Sequence, residues 1–133
     1  MKKLLLITLL VTSSASYADS KWENLGSTGT EQFDFTYFID KLTIKESNLK
    51  KTFYILRELN AAQVAIGGFK YRSSIVQYEQ DCNKKTYRTK EIRAYTDQMG
   101  AGSLVFKSNK ISDWISSVID NMHTEIFNSI CSK

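Results

Sequence analysis

An α+β domain, an antiparallel sheet covered on one face by a helix near the end of the chain, is the fold class this sequence predicts. Three observations lead there. Two-residue alternation of apolar and polar side chains recurs from Phe33 to about Ser108, the period of strands. The one sustained helical stripe comes afterwards, in the last twenty or so residues. Strands followed by a single helix, without the strand–helix alternation of parallel sheets, imply an antiparallel sheet. The only two cysteines, Cys82 and Cys131, fall one in the strand region and one in the terminal stripe.

The first twenty residues, MKKLLLITLLVTSSASYADS, stand apart from that domain. Lys2 and Lys3 precede an apolar stretch from Leu4 to Val11, and Ser16-Tyr17-Ala18 places small side chains where a signal peptidase needs them,. Residues 1–18 therefore read as a secretory signal peptide and 19–133 as a single domain. As a helix the apolar stretch would reach only about 12 Å, against a hydrocarbon core of about 30 Å. No cysteine lies near the cut to accept a lipid, and no later stretch is long and apolar enough to span a bilayer,. The expectation is a soluble periplasmic or secreted protein with no membrane anchor. Net charge is +4, and loss of Lys2 and Lys3 leaves it mildly basic. Neither that balance nor export points to nucleic acid.

Export gives the cysteines a context, because two thiols reaching an oxidising compartment usually pair. A bond closing the loop between positions 82 and 131 would contribute roughly 4 kcal/mol in the chain-entropy model. The alternatives are a free or intermolecular thiol and a metal ligand; a metal would find only His123 as a further soft ligand,.

The elements read in order as follows. Trp22–Leu25 can begin a strand, which Gly26–Thr30 is expected to break,. FDFTYFID sets Phe33, Phe35 and Tyr37 on one face and Asp34, Thr36 and Phe38 on the other. Leu42 and Ile44 prolong the extended chain up to a charged turn at 46–51. TFYILREL is a strand, and NAAQVAIGGF reads as a loop. KYRSSIVQYEQDC and KTYRTKEIRAYTD flank a hairpin turn at Asn83-Lys84,. MGAG breaks the chain before the short strand SLVFKS. From Trp114 on, two readings stay open: one long helix, or a shorter helix capped at Asp120-Asn121. Either places Met122, Ile126, Phe127, Ile130 and Cys131 on one broad face.

Chemical motifs are scarce. Phosphate loop, nucleophile elbow, paired-histidine helix and calcium loop are all missing,. His123 could serve as a general base at a helix start but has no evident nucleophile, so a surface or capping role is expected. The carboxylates show no spacing that singles out a pair,. No enzyme, metal or cofactor is expected. One cluster stands out: Lys84, Lys85, Arg88, Lys90 and Arg93 interleave with Tyr87 and Tyr95, near Lys70, Tyr71 and Arg72. Bases beside tyrosines can hold acidic protein surfaces; the plainer reading is a solvated strand face whose lysines block edge pairing. Strict alternation puts Lys84, Arg88 and Lys90 on one face, with no aromatic, and Lys85, Tyr87, Arg93 and Tyr95 on the other. The first set is the candidate binding patch.

Several segments together resemble the surface-adhesin protein E family of Gram-negative bacteria: Trp22, YFIDKLTI at 37–44, YRSSIVQYEQDC at 71–82, KKTYR at 84–88, GAGSLVF at 100–106, Trp114, and the final Ile130-Cys131. The resemblance spans nearly the whole of 19–133. It implies about six antiparallel strands, a C-terminal helix starting near Asn121, and a Cys82–Cys131 bond. The namesake is an adhesin for host matrix and plasma proteins such as vitronectin and laminin, and it is a lipoprotein, whereas this chain has no cysteine near its cut. The function expected is that of a small exported, non-catalytic binding protein with a protein partner, either a host matrix or plasma protein or an envelope protein. The alternative is an inhibitor of a host or rival enzyme such as lysozyme. Cleavage can be tested directly: intact mass of protein from the soluble periplasmic or secreted fraction should correspond to a chain starting at Asp19, and Met1 retained in a membrane fraction would contradict it.

Overall fold

The computed structural model describes residues 21–30, 33–65 and 67–132. The predicted signal peptide at 1–18 and the start at Asp19 lie outside them. The elements are β1 (Trp22–Thr30), β2 (Phe33–Asp40), β3 (Lys45–Ser47), β4 (Lys50–Val64), β5 (Lys70–Asp81), β6 (Thr86–Tyr95), β7 (Leu104–Ser108), β8 (Ile115–Ser116) and α1 (Asn121–Cys131). The six principal strands lie in the order β1-β2-β4-β5-β6-β7, all neighbours antiparallel, with β3 against β4 and β8 against β6. The expected antiparallel sheet with one terminal helix is the fold.

One sheet face and the helix make the core. Alternation turns Tyr37, Ile39, Phe53, Ile55, Val76, Tyr78 and Tyr87 inward, where they meet Met122, Ile126 and Ile130 of α1,. Each such side chain contributes about 1.5–3 kcal/mol on burial. Tyr78 is the hub, lying edge-on to Tyr87 with ring centroids 5.6 Å apart and 5.9 Å from Phe53.

Of the two readings for the chain end, the shorter helix holds. Residues 115–116 are extended and pair with β6, which forbids a helix from Trp114, and Val118 and Ile119 are exposed. The helix begins where Asp120 caps it, its Oδ1 accepting from the His123 amide at 2.7 Å. Such a cap is worth about 1 kcal/mol. The segment before it is pinned by a buried polar pair: Gln80 Nε2 donates to Ser117 Oγ at 2.7 Å and to the Thr86 carbonyl at 2.9 Å.

Three local expectations fail. Gly26–Thr30 does not break the first strand, because β1 continues through it with an irregularity at Leu25 and positive φ at Gly26 and Gly29. Gly26 is needed there: a Cβ would lie 3.1 Å from Tyr37 Oη and 3.2 Å from Glu125 Oε2, which hydrogen-bond each other across the strand. The first half of the expected loop at 60–69 is strand, since β4 runs to Val64 after a register shift between Glu58 and Gln63. After Asp40 the chain makes a 3₁₀ turn at Lys41–Thr43 where Leu42 was expected to stay extended, whereas the turn expected within 46–51 is present, at Asn48-Leu49, both with positive φ.

Cys82 and Cys131 are bonded, with Cα atoms 5.6 Å apart. The bond ties the last residue of α1 to the turn that follows β5, and Lys51 Nζ donates to the Ile130 carbonyl beside it at 2.8 Å. Cys82→Ser should lower the free energy of unfolding by about 2–5 kcal/mol, read from urea denaturation followed by circular dichroism. An unchanged midpoint would show that α1 docks without its staple.

Candidate functional site

The outer face of the β5–β6 hairpin carries the predicted patch and adds an aromatic residue to it. Asp81, at the end of β5, accepts from the Asn83 and Lys84 amides at 3.0 Å each, which fixes the turn and projects Lys84 into solvent. Arg88 lies directly across from Glu79 in the register and bonds it through Nε at 2.8 Å and Nη2 at 2.7 Å. Lys90 Nζ reaches the other Glu79 oxygen at 3.8 Å. The structure thus gathers Lys84, Arg88 and Lys90 on one side.

Trp114 completes this face, and alternation along the hairpin could not reveal it. The segment before β8 is docked on β6: Ser112 and Thr89 exchange hydrogen bonds at 2.9 and 3.0 Å, and Ile115 pairs with Tyr87. These contacts lay the Trp114 ring under Arg88, 4.5 Å from the guanidinium carbon, and beside Lys50, 5.6 Å from its nitrogen. Lys50, Asp81, Lys84, Thr86 and Trp114 line a shallow cavity of about 220 Å³. Four bases and a tryptophan 38 % exposed thus meet two carboxylates, Glu79 and Asp81, already engaged with the hairpin. The sequence signal was an isolated tryptophan in the polar run NKISDW, whose neighbour only the chain path reveals.

The second set of four residues does not share a face. Tyr87 is buried against the helix, as one face had to be. Between Thr89 and Glu91, however, β6 carries an extra residue, Lys90, opposite the Gln77–Tyr78 step of β5. The bulge reverses the alternation beyond it. Ile92 and Ala94 then follow Tyr87 inward, and Arg93 and Tyr95 fall on the outer side with Arg88. Lys85 is exposed in the turn. Arg72 sits away from the cluster, donating to the Leu59 and Asn60 carbonyls at 2.9 and 3.0 Å.

His123 is neither a surface residue nor only a capping one. It is buried, its ring stacked on Tyr87 at 4.0 Å and edge-on to Tyr78, with Nδ1 2.7 Å from Asp120 Oδ2. Burial, only partly opposed by Asp120, pushes its pKa below the ordinary value, so the ring is neutral near pH 7,. Burial also opposes ionisation of Asp120, but hydrogen bonds from the His123 amide and ring outweigh it and hold the carboxyl below its usual range. Desolvation, and then the neighbouring Tyr78, raise Tyr87 to about 12. With a buried Nε2, this histidine organises the core under the helix. Among the described residues no group of three or more His, Cys, Asp and Glu is placed to hold a metal.

A disulfide-stapled antiparallel sheet with one terminal helix, its outer hairpin face basic and aromatic, defines the class of protein. The chain belongs to the surface-adhesin protein E family, whose profile matches residues 22–132. Its fold is similar to that of Haemophilus influenzae protein E. In one crystal form, form II, the TM-score is 0.61 at 19 % identity, over 72 % of this chain and 80 % of that one. A second structure of that protein gives 0.59 at 20 % identity over 72 % and 76 %. No curated protein matches the chain.

The His123–Asp120 pair generates a pH dependence. A histidine whose folded pKa is depressed takes up its proton more readily when unfolded, so stability is complete above about pH 6.5, the unfolded value, and falls as pH drops below it. Asp120 acts in the same sense, further down, below its unfolded value near pH 4. Thermal midpoints from pH 7.5 to pH 5 should decline, and His123→Gln should flatten that decline. A variant with the wild-type slope would place the titration elsewhere.

Proposed function

We propose that this protein is an exported, non-catalytic binding protein that takes an acidic segment of a partner protein on the face formed by Lys50, Lys84, Arg88, Lys90 and Trp114. The observation that carries the reading is the cation–tryptophan–cation arrangement on the hairpin. Aromatic rings and arginines are the side chains that most often anchor interfaces. Here each is already held in place, by Glu79 beneath Arg88 and by the Ser112–Thr89 contacts beside Trp114. Little conformational freedom is left to lose on binding. Lys84 stands free at the rim, where a charge acts mainly on association rate and salt dependence. Family membership supports a surface-adhesin-like role, in which the partner is a host matrix or plasma protein. An envelope protein would suit the same chemistry in the periplasm.

Reversing all three charges is a poor test of this face. Glutamates at 88 and 90 would stand against Glu79, and like charges directly opposed destabilise a sheet. Trp114→Ala and Lys84→Glu leave that pair intact. Purified vitronectin and laminin serve as first probes, followed by capture from serum and envelope extract with mass spectrometry. For a partner so found, Trp114→Ala should weaken binding by about 2 kcal/mol, roughly 30-fold. Lys84→Glu should slow association at low salt and matter little at high salt. A partner bound equally well by the double variant would place the interface on another face, and inhibition of lysozyme by both forms would favour the inhibitor reading.

A further inference from the structure

The helix covers only part of the inner sheet face. Beyond its reach lies a cavity of about 300 Å³ whose lining includes Arg57, Ser74, Ile92, Ala94 and Phe106. The register explains its make-up. Arg57 pairs with Ser74, Ser74 with Ala94 and Ala94 with Phe106, so one row of inward side chains crosses four strands. Small residues at the middle of that row, Ser74 and Ala94, leave the hollow, and Ile92 and Phe106 wall it.

Arg57 is the anomaly in this hollow. It is the charged residue of the lining, and among the described residues it forms no salt bridge, the Asp120 carboxylate acting on it only at longer range. Its Nη2 donates to the Tyr78 hydroxyl, its guanidinium carbon lies 5.7 Å over the Phe35 ring, and its Nε is buried with no acceptor. A permanent cation fixed by two aromatic rings inside an apolar wall, with only the more distant Asp120 carboxylate to balance it, keeps a partly compensated charge and guanidinium donors beyond the one given to Tyr78. Both are offset by an anion that brings an apolar body with it.

We propose that this cavity binds a free amphiphilic carboxylate of the fatty-acid type, its head group on Arg57 and its acyl chain along Ile92, Ala94 and Phe106. The volume is at the lower end for small-molecule sites, which suits a medium-length chain. A peptide terminus fits less well. The floor belongs to β4, β5 and β6, interior strands whose backbone groups are already paired on both sides, so a peptide main chain would find few partners there,. The site is distinct from the Trp114 face and stands or falls separately from it.

Octanoate is the probe, octanol its uncharged counterpart, and both are titrated into the oxidised mature protein by calorimetry and by amide NMR. Octanoate should saturate at one per chain and bind at least about tenfold more tightly than octanol, the difference expected for a charged hydrogen-bonded head group. Amide shifts should centre on Ser74, Ala94 and Phe106. Ala94→Leu, which fills the hollow and leaves Arg57 in place, should abolish binding, and Arg57→Gln should reduce octanoate to the affinity of octanol. Should Arg57→Gln not fold, the octanoate–octanol comparison on the wild type decides alone. Equal binding of acid and alcohol, no binding at millimolar octanoate, or shifts centred on Trp114 would each overturn the proposal. So would binding of a leucine-terminated peptide acid without binding of octanoate.

Discussion

The bond between Cys82 and Cys131 joins the end of α1, the one α-helix among the described residues, to the turn between β5 and β6. Its consequences run both ways. Toward the core, it holds Met122, Ile126 and Ile130 on the tyrosine-rich face of the sheet. Toward solvent, it steadies the hairpin, because the segment leading into the helix is stitched to β6 by the β8 pairing, by Ser117 on the Lys85 carbonyl, and by Gln80 on Ser117. Trp114 lies in that stitched segment, so the same anchorage that closes the core also sets the ring under Arg88.

The two faces of the sheet are used differently. The inner one is divided between a helix-covered core and an open hollow, and Arg57 and Tyr78 stand at the border, joined by a hydrogen bond. The outer one is solvated over much of its area. Near Leu56 and Ile75 it is covered by the Gln98–Gly100 turn, where Gly100 takes a left-handed φ of 72° that favours glycine,. An adhesin-like protein of this size can therefore present a rigid polar face without exposing its core. It need not move to do so, since Arg88 and Lys90 are already braced by Glu79 and the turn before them is fixed by Asp81.

The bulge at Lys90 shows how one local irregularity redistributes function. Without it, Arg93 and Tyr95 would fall on the inner face with Tyr87, and the outer face would lose an arginine. With it, Ile92 and Ala94 supply the inner wall, and the hollow around Arg57 takes its apolar side from them. One inserted residue thus shapes both candidate binding regions.

Much of this was legible in the residues themselves. The alternation of FDFTYFID and TFYILREL, the late helical stripe and the two cysteines determined an antiparallel sheet, one terminal helix and a single staple, because each is a local or covalent property of the chain. The grouping of Lys84, Arg88 and Lys90 was legible for the same reason: they belong to one turn and strand. Tertiary structure decided the rest. The glycines of β1 stay in the strand because β2 pairs with them, which overrides their weak strand preference,. Trp114 joins the patch, and Arg57 faces an apolar hollow, through contacts between residues distant in sequence. His123 turned out to be core because Tyr87 lies beneath its ring, a neighbour 36 positions earlier that no helical or strand period could supply.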